Sequence, residues 1–157
     1  RPDLGTLLFD LINLEYHESL MAAAGDQAED ALEAAVERHR GRYLVIVEGS
    51  VPRGEHGQFM TMAGHPALEW LPRITNDAAA VIAIGSCAAF GGLPAVGPNP
   101  TDAVGVGTLI SHQRLVNIPG CPPNPYTLLG TILQYAHDGT LPALDAQKRP
   151  RFAFDRT

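Results

Sequence analysis

Lysine is almost missing from this 157-residue sequence: Lys148 is the only one. No basic stripe is present, which excludes a nucleic-acid partner, because that footprint needs clustered Lys and Arg. Charged residues of both signs reach only 18%, and between Ala78 and Thr101 there are none. That window carries Gly85, Gly91, Gly92, Pro94, Gly97, Pro98 and Pro100, so it cannot be a membrane-spanning helix. It is either deeply buried or covered by a partner. Cysteine is scarce too. Cys87 and Cys121 are too few for a disulfide framework; one disulfide, two free thiols or half of a metal site stay open. Arg1-Pro2-Asp3-Leu4 lacks the basic and apolar regions of a signal peptide. The missing initiator Met is what removal of an address would leave.

What is present is apolar and loop-rich. Hydrophobic residues make up 45%, with 16 glycines and 13 prolines. That composition excludes disorder and a coiled coil or simple helical bundle. The length suits one domain. The net charge of −6 arises in the first third, largely from Asp26, Glu29, Asp30, Glu33 and Glu37, the solvated face of a helix.

Periodicity places the elements. Leu4, Leu7, Leu8, Leu11 and Ile12 have helical spacing. Asn13 to His17 reads as a short strand. A helix is predicted over 26–40 with Gly41 as its stop, another over 65–76, and a third over 124–137 stopped by Gly139. Residues 42–49, 78–85 and 114–120 are continuous apolar runs, the mark of strands buried on both faces of a parallel sheet. Loops are expected after each strand, with short helices in the one that follows Gly85, and an irregular basic tail from Leu141. Strands alternating with helices imply a doubly wound α/β sheet, whose functional crevice lies beyond the carboxyl ends of the strands.

All three strands end in glycine, at Gly49, Gly85 and Gly120. Parallel strands bring these ends to one edge, and with them both cysteines, in Gly85-Ser86-Cys87 and Pro119-Gly120-Cys121. Glycine beside each allows close backbone approach. Paired thiolates ringed by uncharged Gly and Pro suit a soft metal or an iron–sulfur cluster, although buried thiols are also ordinary small hydrophobes. A cluster normally takes four thiolates, and this chain has two. Nucleotide-binding readings fail for want of Gly-x-Gly-x-x-Gly and Gly-Lys-Ser/Thr, and a hydrolase elbow for want of Gly-x-Ser-x-Gly. A zinc site drawing on His17, His56, His65 or His112 has the wrong spacing. Glu48, a carboxylate at a strand end near the crevice, is a candidate proton relay or interface residue; the simpler reading is a cap on local backbone N–H groups.

At these residues the chain resembles a known family. Residues 79–92, Ala-Ala-Val-Ile-Ala-Ile-Gly-Ser-Cys-Ala-Ala-Phe-Gly-Gly, and residues 118–125, Ile-Pro-Gly-Cys-Pro-Pro-Asn-Pro, are similar to two cysteine segments of the small subunit of NiFe hydrogenases. Pro98-Asn99-Pro100-Thr101, residues 14–25 and residues 47–52 match it as well. The resemblance implies a flavodoxin-like domain over 1–140 and a tail over 141–157 leading toward a C-terminal cluster domain. It implies electron relay through a proximal 4Fe-4S cluster held by Cys87 and Cys121, with Gly85, Ser86 and Gly120 shaping the loop backbone. The catalytic centre would lie in a large-subunit partner packed on the uncharged loops of 85–107, with a cytochrome or other redox protein as acceptor. Two more ligands, in a Cys-x-x-Cys loop after a first strand, would come from upstream of Arg1, and further clusters from beyond Thr157. Oxygen-tolerant members carry an extra Cys where Gly92 stands, so Gly92 implies an ordinary cubane. Met60 stands where many members have a Cys that is not a proximal ligand. The resemblance implies a periplasmic or periplasm-facing membrane-associated location, with the cytoplasm as the alternative. A cluster-free flavodoxin-like binding or assembly module is the competing reading.

Overall fold

The computed structural model describes residues 4–6, 10–62, 64–111 and 114–155. Its frame is a three-stranded parallel sheet. The strands are β1 (Leu44–Glu48), β5 (Ala80–Ile84) and β7 (Leu115–Ile118), in the order β1-β5-β7. Leu44 to Glu48 pair with Ala80 to Ile84, and Val81 to Ile84 with Leu115 to Ile118. The central strand is Ala-Val-Ile-Ala-Ile, apolar at every position, and residues 80–83 are fully buried. Alternate side chains of the inner strands serve two separate cores. Val81, Ala83 and Leu115 pack with Ala67 and Leu71 on one face. Ile82, Val116 and Ile118 pack with Ile132 on the other. Each such large side chain contributes about 1.5–3 kcal/mol relative to exposure.

Helices cover both faces, as a doubly wound sheet requires. Before β1 come a short turn, α1 (Leu4–Thr6), and α2 (Asp26–Arg38). Only Leu32 of α2 is buried, in keeping with its acidic outer face. The helix α3 (Ala67–Thr75) buries Ala67, Trp70, Leu71 and Thr75, a spacing of three and four that makes one stripe. Its last turn is closed by the Thr75 hydroxyl, which donates to the Leu71 carbonyl at 2.7 Å. On the opposite face, α5 (Pro125–Asp138) starts with Asn124 accepting the Tyr126 amide at 2.9 Å and stops at Gly139 in the left-handed region.

Two small ribbons join the frame. One pairs β2 (Val51–Pro52) with β6 (Ala103–Val104), and the other pairs β3 (Thr61–Met62) with β4 (His65–Pro66), both antiparallel. The outer side of β7 is closed by the tail. The Asn117 amide donates to the Lys148 carbonyl at 2.8 Å, and its side-chain amide to the Gln147 carbonyl at 2.9 Å. Leu141 and Leu144 add to the second core. An outward backbone donor of this edge strand is thereby satisfied. Among the described residues β1 pairs on one side only, and Ile46 is 44% exposed.

The doubly wound parallel sheet is as the sequence predicts, and so are the three long helices to within two residues at most boundaries. Some local expectations change. Asn13 to His17 is not a strand. The expected helix at 4–12 falls partly on residues outside the described ones. The short helices expected in the loop after Gly85 are present, the first, α4 (Gly85–Phe90), beginning directly at the end of β5; the tail, expected to be irregular, ends in a helical turn, α6 (Arg151–Phe154).

Candidate metal centre

The carboxyl edge of the sheet is formed by the three glycines, all with positive φ: +88° at Gly49, +87° at Gly85 and +150° at Gly120. At Gly85 the chain turns from β5 straight into α4, which puts Cys87 in the first turn of that helix. At Gly120 a Cβ would lie 2.6 Å from the Cα of Pro123, so only glycine lets Cys121-Pro122-Pro123 fold back so closely. The two turns are fastened together. The Ser86 amide donates to the Gly120 carbonyl at 2.9 Å, and the Gly120 amide donates to the Ser86 hydroxyl at 3.1 Å. Cys87 and Cys121, 34 residues apart in sequence, each follow one half of this pair.

Both cysteines are free thiols, which removes the disulfide left open by the sequence. Cys87 is half-buried and Cys121 exposed. The loop after α4 closes over the first sulfur. Gly91 caps α4 in the left-handed region and donates its amide to the Cys87 carbonyl at 2.8 Å. Gly92 then passes so near that a Cβ there would meet the Cys87 Sγ at 2.6 Å. Farther along, a Cβ on Gly105 would lie 2.8 Å from the Ala89 carbonyl oxygen. Glycine is therefore what lets this loop lie against the cysteine helix.

Other sequence candidates are placed less centrally. Glu48 is exposed at the end of β1, in register with Ile84, on the same edge as the thiols. His17 lies in a turn, where its Nδ1 accepts the Ser19 amide. His65 stands between Glu29 and Glu69, at 4.0 and 3.6 Å, and His56 in the short helical turn at Gly54–Gly57. His112 lies outside the described residues. Among the described residues no group of three His, Cys, Asp or Glu side chains gathers to hold a metal. The thiol pair fits an iron–sulfur group as two of its ligands: both sulfurs are free, both cysteines stand at one sheet edge, and glycine backbone passes against the Cys87 sulfur. The role of the Ser86 side chain escapes the sequence, where Ser86 is named for its backbone alone. No spacing rule signals a hydroxyl that bonds a chain 34 residues away.

Such a sheet defines a doubly wound α/β domain with two free thiols at the edge where such folds keep their ligands. The chain belongs to the family described as NADH ubiquinone oxidoreductase, 20 Kd subunit, whose model matches residues 1–135. It is 43% identical over 155 residues to the quinone-reactive Ni/Fe-hydrogenase small chain of Wolinella succinogenes, covering 98% of this chain and 44% of that protein. It is 43% identical over 159 residues to the periplasmic [NiFe] hydrogenase small subunit 1 of Nitratidesulfovibrio vulgaris, covering 100% and 50%. The chain thus spans at most half the length of these curated relatives. Among solved structures it resembles the reduced, active Ni-Fe-Se hydrogenase from Desulfomicrobium baculatum, with a TM-score of 0.89 at 28% identity, over 96% of this chain and 61% of that one.

Proposed function

We propose that this chain is the proximal-cluster domain of the electron-transfer subunit of a NiFe hydrogenase. The observation that carries the reading is the pair of free thiols, Cys87 and Cys121, fastened to one sheet edge within a chain 43% identical to named hydrogenase small subunits. Cys87 and Cys121 are two ligands of a 4Fe-4S cluster, and two further thiolates come from sequence upstream of Arg1. When bound, that cluster supplies one-electron transfer between a NiFe centre in the large subunit and the acceptor. The chain's own residues hold and shield it. Gly85, Ser86 and Gly120 set the loop backbone, and Gly91 and Gly92 close one side of the Cys87 sulfur. The neutral stretch 78–101 keeps charge away.

The large subunit packs on the loops of 85–107. Phe90 is 48%, Leu93 83% and Val96 64% exposed there, which is apolar surface of the kind an obligate interface covers. Glu48, on the same edge, is a proton-relay candidate. Residues 1–140 form the proximal-cluster unit, and 141–157 lead toward further clusters. The acceptor is a cytochrome or another redox protein, and the complex works on the periplasmic side, as the name of the Nitratidesulfovibrio relative suggests. Among the described residues no helix is long and apolar enough to cross a membrane.

The test is iron content and electron paramagnetic resonance of the purified two-subunit complex. The expected result is iron and a reduced-cluster signal that Cys121→Ser abolishes. A wild-type complex without iron, or full electron transfer in the Cys121→Ser complex, overturns the reading and leaves the cluster-free module in its place.

A further inference from the structure

Fastening between β5 and β7 does not stop where the strands do. Their last regular pair is Ile84 with Ile118. Two residues on, β5 has already become α4, so the carbonyls on that side run along a helix and no longer face the neighbouring strand. The Gly120 amide nonetheless finds an acceptor, the Ser86 hydroxyl at 3.1 Å, while the Ser86 amide donates to the Gly120 carbonyl at 2.9 Å. A serine in a first helical turn ordinarily turns its hydroxyl toward its own backbone. Here it reaches across to the next strand.

The bond sits on rigid backbone. Gly85 (φ +87°) and Gly120 (φ +150°) hold conformations that side chains rarely adopt, and Gly120 is pressed against Pro122 and Pro123. The two residues that follow the bonded pair are Cys87 and Cys121. Both cysteines thus lie beyond the regular ladder, each directly after one member of the bonded pair.

We propose that Ser86 is the positioning residue of the thiol pair: its hydroxyl, through the Gly120 amide, fixes where the Cys87 and Cys121 sulfurs stand relative to each other. The proposal rests on both cysteines being cluster ligands. It adds that a side chain which touches no metal tunes the group they hold, since backbone and hydrogen-bond partners around ligands orient them.

The test compares Ser86→Thr and Ser86→Val in the assembled two-subunit complex. The two replacements have nearly the same shape and differ in the hydroxyl. Four readouts are taken: hydrogen exchange of the Gly120 amide, the line shape of the reduced-cluster resonance, its midpoint potential, and the rate of iron release to a chelator. Ser86→Thr is expected to match wild type in all four. Ser86→Val is expected to speed Gly120 exchange by roughly tenfold, the factor for one lost hydrogen bond, and to change the line shape, potential and release rate. A valine complex that fails to assemble while the threonine complex assembles also supports the proposal. Equal behaviour of the two variants, both normal or both failing, overturns it. If the wild-type complex holds no iron, the hydrogenase reading falls, and the Gly120 amide still decides the positioning claim. Exchange as slow in Ser86→Val as in Ser86→Thr then overturns it.

Discussion

Gly92 backs directly onto Cys87. A Cβ on Gly92 would stand 2.6 Å from the Sγ, 2.8 Å from the Cα and 2.9 Å from the amide nitrogen of Cys87. The sulfur is a movable end, but the other two atoms belong to the first turn of α4 and cannot step aside cheaply. Gly92 also has φ +56°. Gly92→Ala is therefore expected to destabilise the assembled subunit by about 1–3 kcal/mol and to displace the Cys87 sulfur. Denaturant unfolding measures the first effect and the cluster resonance the second. Unchanged stability and spectrum would show that the loop relaxes freely around the added carbon.

Replacing either thiol tests the candidate centre from two sides. Cys87→Ser and Cys121→Ser are each expected to lower the iron content and visible absorption of the complex, because oxygen is a poor substitute for a soft thiolate donor. The exposed Cys121 is also expected to react with an alkylating reagent faster than the half-buried Cys87 when the complex is stripped of iron. Equal rates would mean that the turn at Gly92 leaves Cys87 open.

The core makes a graded prediction along the sheet. Ile82 is fully buried in the central strand, and Ile46 is 44% exposed on β1. Ile82→Ala is expected to cost about 2–5 kcal/mol, and Ile46→Ala no more than about 1 kcal/mol. Denaturant midpoints of the assembled subunit give both. A loss for Ile46→Ala as large as that for Ile82→Ala would show the outer face of β1 to be covered in the complex.

Acid should loosen the tail. The Arg149 backbone amide donates to Asp145, and the Arg149 guanidinium and Gln147 amide add to it, which holds the Asp145 carboxyl below its ordinary range against the opposing effect of burial. A carboxyl with a folded pKa below its unfolded one stabilises the fold above the ordinary carboxylate range, and that contribution is lost as the pH falls through the lower folded value. The Asn117 amide, bonded to Lys148 in the same loop, reports it. Its exchange protection should be constant near neutral pH and decline in acid, whereas Asp145→Asn should start lower and stay flat. A decline in the variant equal to that of the native chain would place the acid sensitivity elsewhere.

Hydrophobic pattern made the frame legible. Continuous apolar runs at 42–49, 78–85 and 114–120 mark strands, and β1, β5 and β7 lie inside them; β5 and β7 are buried on both faces as expected, whereas β1 is only half-buried, with Ile46 44% exposed. The helix stop at Gly139 was readable because a left-handed residue there rarely tolerates a side chain, whereas α2 ends at Arg38 with His39 as its cap, ahead of the expected Gly41. Asn13 to His17 misled, since its β-like composition says nothing about whether a neighbouring edge exists. The ribbons at β2–β6 and β3–β4 were invisible, being two residues long on each side, too short for any period to show.

The sequence by itself determined that two cysteines, one two residues after Gly85 and the other directly after Gly120, lie at the ends of parallel strands, because strand direction and the glycine turns are local and patterned. It also determined the family, through the segments around Cys87 and Cys121. Only the tertiary structure decided that the thiols are free, that Gly92 closes one side of Cys87, and that Ser86 bonds Gly120 across 34 residues. The Ser86–Gly120 bond joins segments far apart in the chain, and the Gly92–Cys87 approach is a fold-back within one loop. Their distances depend on how α4 leaves the sheet and how tightly each glycine lets the next loop approach, which no residue spacing encodes.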